Sequence, residues 1–440
     1  MRTTSQNPVP SQQISSVKHR VVKSRWQQRL LLLLVVVGPG LIVMEADNDA
    51  GAVSTYTQAG AQYGLHLLWL MVLLLPVCYF VQEMVARLGI ATGEGHAAMI
   101  YRRFGRWWGI FSLFDLLIVN FLTLVTEFAG IALAARQIGL SPIVAVPLSA
   151  VGLILMVLTG SYRRWERFTI GLCILDLFWL VMAAASRPSS ANVVHNLLVP
   201  NPGPHGWTPS LVMMVVAIVG TTIAPWQLFF QQSAVADKRL RFSDLKNARI
   251  DTLVGSIFTI LVAGGMICVG NALYVHHIPF SDPAQMAAAL GPIYGRWIRA
   301  GVLLFMVNAS VLGATAISLA SSWAIAEVRN WPHSLQLPFN EAKGFYLAYI
   351  LGTFAAAAVV LVPRAPLQLI IVGVQVLAGL MLPSAIVFLQ LLLNDRELIG
   401  DDMVNRQWNN VVNWSIITIL FILSLVLAVQ QLIPSLFPSN

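Results

Sequence analysis

The chain has 440 residues, of which 57% are hydrophobic and 10% charged. Soluble domains carry about 25% charged residues, so the composition excludes an ordinary globular enzyme or binding module and leaves a polytopic membrane protein. The net charge of +8 lies in the N-terminal tail and the loops, which fits membrane topology better than nucleic-acid binding.

Residues 1–24 are polar and rich in Ser and Gln. They lack the short apolar core and small-residue cleavage site of a secretory signal, so a disordered cytoplasmic tail is expected. Lys18, Arg20, Lys23, Arg25 and Arg29 are suited to rest on anionic headgroups. A spanning helix needs ~20 mostly apolar residues. Eleven candidates follow in one transmembrane domain over residues 25–437: 29–59, 65–89, 107–137, 141–160, 165–187, 210–235, 247–275, 297–327, 344–362, 366–394 and 409–436. With the N-terminus in the cytoplasm, the outer side receives only Arg136, Arg187, Arg296, Arg299 and Arg364. That skew predicts a multi-pass protein of the cell (inner) membrane, N-terminus inside and C-terminus outside.

Two spans carry breaks. In the first, the wholly apolar Leu30–Val37 is followed by Gly38-Pro39-Gly40, then Glu45, Asp47, Asp49 and Gly51. A charge at bilayer depth costs at least ~2.5–3.5 kcal/mol on insertion scales, so such a cluster marks an ion or substrate path. The sixth span reads Val219-Gly220-Thr221-Thr222-Ile223-Ala224-Pro225-Trp226. Its proline removes an N–H donor and clashes with the preceding turn, which lipid tolerates where the freed carbonyls find another partner. The breaks lie five spans apart. This predicts two repeats of inverted topology, 25–190 and 208–395, with the helix 409–436 extra, and a site at the two breaks.

Other polar residues are read more plainly. Cys78, Cys173 and Cys268 lack metal-ligand spacing and read as buried free thiols. His276, His277 and Asp282 read as a solvated loop. Asp115 and Asp176 are expected to pair with buried partners, and Glu83 and Arg87 to form an i, i+4 pair that is structural or gating. No nucleophile–base arrangement, P-loop or appended soluble domain is apparent, so neither an enzyme nor an ATP-driven pump is expected.

Gly38–Gly60, continuing through Ala61-Gln62-Tyr63-Gly64 and Leu88-Gly89-Ile90-Ala91-Thr92-Gly93, resembles the Nramp family of divalent-metal transporters. The resemblance implies an all-α, LeuT-like inverted-repeat fold that moves a divalent cation by alternating access. The family carries Asp-Pro-Gly-Asn in the first helix and Met-Pro-His in the sixth. The matching residues here are Asp49-Ala50-Gly51-Ala52 and Ala224-Pro225-Trp226. Asp49 is kept, whereas Ala52 stands for the asparagine ligand and Ala224 for the methionine thioether. A soft sulfur favours transition metals. A site of carboxylate, carbonyl and water oxygens suits Mg²⁺, which keeps several waters. The pattern is similar to the NRAMP-related magnesium transporters, a branch without the methionine.

The resemblance implies a metal set of Asp49, the carbonyls of Thr221 and Ala224, and the amide of Gln375. Glu45 and Asp47 are added from the acidic cluster. Glu45, four residues before Asp49, shares its face if the helix continues. The family's sixth-helix histidines match Trp226 and Gln231, and a third-helix acid matches Leu124, while Glu127 is kept. Loss of the histidines implies weak or absent proton coupling, with Glu127, Trp226 and Gln231 as candidate proton or gating residues. The expected partners are the divalent ion, Mg²⁺ first and Mn²⁺ second, and the bilayer. No cofactor and no nucleic acid are expected. A proton-coupled Mn²⁺/Fe²⁺ importer and a Na⁺-coupled organic-solute transporter on the same fold are the alternatives.

Overall fold

The computed structural model describes residues 38–204 and 206–432. The expected tail and Leu30–Val37 lie outside the described residues. All regular structure described is helical. The first interrupted span is α1 (Pro39–Ala46) and α2 (Ala50–Tyr63), and the second span is α3 (Trp69–Thr92). A connector, α4 (His96–Phe104), leads to α5 (Arg106–Gln137), α6 (Pro142–Val157) and a fifth span that bends at Leu177 between α7 (Tyr162–Asp176) and α8 (Phe178–Ala185). After α9 (Ser190–Leu198), the sixth span is split into α10 (Pro209–Thr222) and α11 (Pro225–Asp237). Then follow α12 (Leu245–Val275), α13 (Pro283–Tyr294), α14 (Arg296–Arg329), α15 (Lys343–Val360), α16 (Leu367–Leu392), α17 (Arg396–Ile399) and α18 (Gln407–Leu432).

Among the described residues, nine helical stretches are long and apolar enough to cross a membrane. The other two expected spans differ from that description. Only the α1–α2 part of 29–59 is described, and the expected 141–160 span is the 16-residue α6, which Pro142 starts at its first turn. The expected 65–89 helix is shifted toward the C-terminus. It runs on to Thr92, where Gly93 adopts a left-handed φ of 66° and its N–H returns to the Gly89 carbonyl.

The interrupted helices sit in the middle of the bundle. α1 packs on α12 and α14, α11 packs on α3 and α14, and α10 lies along α16. α2 and α12 approach so closely that a methyl group at Gly60 or Gly270 would strike the opposite backbone. Small residues at such crossings let helices pack without a hydrophobic driving force from the lipid. The periphery is apolar outward instead: Leu148, Leu155, Leu351, Ile419 and Phe421 are exposed, as lipid contact allows.

Candidate functional site

At the first break the helix ends at Ala46. Asp47 still has helical dihedrals, but Asp49 is extended (φ −69°, ψ −174°) and starts α2. Its Oδ1 accepts the Ala52 N–H at 2.8 Å, an N-cap that satisfies one orphan donor of α2. Glu127 reaches the same helix start from α5, where its Oε2 accepts the Ala50 N–H at 3.1 Å. The two carboxylates flank Gly313 of α14. A methyl group there would lie 2.7 Å from Asp49 Cβ and 3.0 Å from Glu127 Cδ. Asp49 is thus held at the N-terminal end of α2.

The break turns the three carboxylates of the cluster apart. Asp47 accepts the side-chain N–H of Gln227 from α11, and Gln227 Oε1 accepts Gln82 Nε2 of α3 at 2.8 Å. Asp47 Oδ2 has no partner in the protein. Glu45 lies 3.5 Å from both Asn48 Nδ2 and Thr259 Oγ1. The expected common face of Glu45 and Asp49 is therefore absent, because α1 ends one residue after Glu45. Among the described residues, no three His, Cys, Asp or Glu side chains converge on a common metal position.

The second break carries no charge. α10 ends at Thr222, Ile223 and Ala224 are extended, and Pro225 opens α11. The end of α10 leaves carbonyls without a following turn; that of Val219 takes the Ile223 N–H at 3.1 Å and that of Thr222 the Cys78 thiol at 3.6 Å. Thr222 Oγ1 meets Tyr56 OH of α2 at 2.7 Å, which joins the two broken helices. Thr221 is buried and its hydroxyl has no partner. The Ala224 carbonyl already accepts the Gln227 N–H at 3.1 Å, so one lone pair of that oxygen is taken.

Gln375 of α16 joins the two breaks. Its Nε2 has no partner and packs against Gly51, where a methyl group would overlap that amide and lie 3.0 Å from Asp49 Oδ1. Its backbone packs on Gly220 of α10, again at a separation that only glycine permits. Asp49, Gly51, Gln375 and the Gly220–Thr221 end of α10 therefore share one small region. Trp226 and Gln231 turn elsewhere. Trp226 is fully buried, its ring 6.2 Å from Phe230, and Phe230 also packs on Trp165 and Trp323. Gln231 Nε2 donates to Thr252 Oγ1 of α12 at 3.2 Å.

Sequence reasoning missed Gln82, Gln227 and Tyr56. The available signal was an amide two residues past Pro225, in the first turn of a half-helix whose start faces a break. The secondary candidates have structural partners. Asp115 accepts Ser384 Oγ at 2.7 Å, and Asp176 accepts Asn308 Nδ2 at 2.7 Å. Glu83 bridges Arg87 at 3.2 Å and Arg249 at 2.8 Å. Asp282 caps α13 through the Gln285 N–H, and the three cysteines are free and buried.

Residues 40–430 match the family model described as Nramp, natural resistance-associated macrophage protein-like. Among curated relatives, the divalent metal cation transporter MntH of Staphylococcus aureus (strain bovine RF122 / ET3-1) is 24% identical over 421 residues, 90% of this chain and 91% of the relative. Among solved structures, the Eremococcus coleocola manganese transporter, in complex with an aromatic bis-isothiourea substituted compound, superposes with a TM-score of 0.73 at 22% identity. That match covers 90% of this chain and 87% of the other. MhsT in complex with L-phenylalanine has a TM-score of 0.59 at 13% identity, covering 89% of this chain and 98% of the other. The first two are named as transporters and not as enzymes, and the likenesses in structure show the LeuT-like inverted-repeat fold with its first and sixth helices broken. The match over residues 40–430 identifies this chain as a member of the Nramp family.

Proposed function

We propose that the chain carries a divalent metal cation across the membrane by alternating access, preferring Mg²⁺ to Mn²⁺, with little or no proton coupling. The observation that supports this most directly is the meeting of Asp49 and Gln375 at Gly51, beside the open end of α10. Asp49 supplies the anionic oxygen, Gln375 its amide oxygen once the amide turns over to replace the Nε2 that meets Gly51 here, and Thr221 and Ala224 their backbone carbonyls. The four groups proposed as ligands are oxygens, with Ala224 standing where a thioether would select a softer ion; the sulfur at the second break is the Cys78 thiol, 3.6 Å from the Thr222 carbonyl it donates to. Several buried oxygens near the breaks also have no protein partner, among them Asp47 Oδ2, Asn48 Oδ1, Gln82 Oε1 and Thr221 Oγ1. An unpaired buried acceptor is costly. These acceptors suit the water protons of an ion that keeps part of its hydration shell. Glu45 and Asp47 add negative field from outside the direct ligand set.

Weak proton coupling follows from Trp226 and Gln231, neither of which titrates near neutral pH. The aromatic packing of Trp226 also fills space that a mobile side chain would need. The distribution of basic residues supports a cytoplasmic N-terminus. The second reading, a proton-coupled Mn²⁺ or Fe²⁺ importer, draws on the relatives' names and on Glu45, Asp47 and Glu127, three buried carboxylates able to carry protons.

The deciding experiment is flux into proteoliposomes carrying an internal pH dye, with Mg²⁺ and Mn²⁺ compared side by side. Mg²⁺ entry without acidification is expected. Mn²⁺ entry with acidification and no Mg²⁺ flux would replace the first reading with the second.

A further inference from the structure

In the C-terminal half of α3 one buried carboxylate holds two arginines. Glu83 Oε1 lies 3.2 Å from Arg87 Nε and 2.8 Å from Arg249 Nη2 of α12. Arg87 is fully engaged: its other nitrogens donate to the Met403 carbonyl at 2.6 Å and to Asn405 Oδ1 at 2.8 Å. Arg249 meets Glu83 through Nε and Nη2 only, and its side chain is 46% exposed. A third guanidinium, that of Arg406 just before α18, is exposed and makes no ion pair among the described residues.

The three arginines line one cavity of about 400 Å³, with Tyr79 of α3, Phe242 before α12 and Trp408 of α18. The acids on its wall are Glu83, already shared, and the exposed Asp402, so three cations face two anions. The loop that carries Phe242 adds Arg239, Arg241 and Lys246 against Asp244 alone. Charge complementarity therefore favours an anion in this cavity.

Two features select a lipid over a free anion. The cavity lies where α12 and α18 begin after polar loops, which is the depth of headgroups. Phe242 is 61% and Trp408 52% exposed there, as suits aromatic rings at a membrane–water boundary. The lining also turns apolar away from the arginines. Tyr79 and Phe80 lie about two turns nearer the middle of α3 than Arg87, and Pro76 and Leu73 continue that line as exposed residues. On α12, Arg249, Leu253, Ile257 and Leu261 recur every four residues, and all four are exposed. Residues at this spacing share one helix face. Two outward apolar stripes thus start at residues of the cavity, as acyl chains leaving a bound headgroup require.

We propose that the cavity between α3, α12 and α18 binds an anionic phospholipid. The phosphate rests on Arg249 and Arg406, and the acyl chains run along the stripes of α3 and α12. Arg87 acts through Glu83, which holds Arg249 in place. Since α18 packs mainly on α16, the lipid adds a tie from α18 to α3 and α12. None of this depends on which ion is carried.

The test titrates the full-length protein in dodecyl maltoside with dioleoylphosphatidylglycerol or dioleoylphosphatidylcholine and reads bound lipid by native mass spectrometry. The wild type should retain a phosphatidylglycerol at concentrations that leave phosphatidylcholine unbound. An arginine beside an anionic headgroup is worth about fivefold in affinity, so Arg249→Gln and Arg406→Gln should each weaken phosphatidylglycerol binding by about fivefold and the double variant by about 25-fold. Arg136→Gln, in the last turn of α5 and outside the cavity, should leave it unchanged. Phosphatidylglycerol should also raise the thermal midpoint of the wild type more than that of the double variant. Unchanged binding by the double variant overturns the site. So do equal binding of the two lipids and an equal loss with Arg136→Gln, since both mark unspecific attraction. Displacement of the lipid by millimolar inorganic phosphate would make this a site for free phosphate and overturn the lipid. If Arg249→Gln does not fold, Arg406→Gln is judged by the same criteria.

Discussion

At the first break the backbone leaves the helix through Asp47, Asn48 and Asp49; at the second it leaves through Ile223 and Ala224, neither of which carries a polar side chain. The first is stabilised by side chains acting on helix ends. Asp49 caps α2 from within, and Glu127 caps it from α5. The second is stabilised by proline geometry and by the Tyr56–Thr222 contact. Charge is concentrated at one break, and the other offers neutral groups only. Facing each other across Gly51 and Gln375, the two match the proposed site for a hard cation, one anionic ligand with several neutral ones.

The sharpest way to break this comparison is to remove the charge. Asp49→Ala is expected to cut Mg²⁺ uptake by more than about a hundredfold, because losing one partner of a buried charge interaction costs ~3–5 kcal/mol. The protein should still elute as a folded monodisperse species in detergent. Wild-type uptake by this variant would move the site elsewhere. Next in size is Gly51→Ala, which drives a methyl group into the Gln375 amide. Overpacking of this kind costs ~1–3 kcal/mol, so a loss of about tenfold in uptake is expected together with a lower thermal midpoint. Adding Gln375→Ala should restore the midpoint and leave uptake low, separating the packing fault from the missing ligand. The smallest effect belongs to the neutral break. Ala224→Met should raise Mn²⁺ or Cd²⁺ uptake relative to Mg²⁺ by about fivefold, or ~1 kcal/mol, measured by competition. An unchanged ranking would mean that position 224 does not face the ion.

The spans and both breaks could be read from the chain because each is a local property. Long apolar runs demand helices, and Pro225 or a run of carboxylates inside one demands an interruption. The end of α3 was not read: the expected span stopped at residue 89, whereas the helix runs on to Thr92 and is capped by Gly93 in a left-handed conformation. The connectors α4, α9 and α13 were not found, since a short helix of mixed polarity has no signature strong enough to separate it from a loop. The direction of each acidic side chain was not legible either. Spacing suggested that Glu45 and Asp49 share a face, and the end of α1 at Ala46 removed that relation.

By itself the sequence determined that this is a helical membrane protein with two interrupted helices and charge at only one of them. Hydrophobic length and proline chemistry act on the residues next to them, so no knowledge of the fold is required. Only the tertiary structure decided what each buried carboxylate does. Asp47 meets Gln227 across 180 positions of sequence, Glu127 meets the start of α2 across 77, and Asp251 meets Gly38 across 213. A buried charge takes whichever donors the packing brings within about 3 Å. Here those donors are the exposed N–H groups at the starts of α1 and α2 and one amide from α11, whose positions are set by helix packing and not by neighbours in the chain.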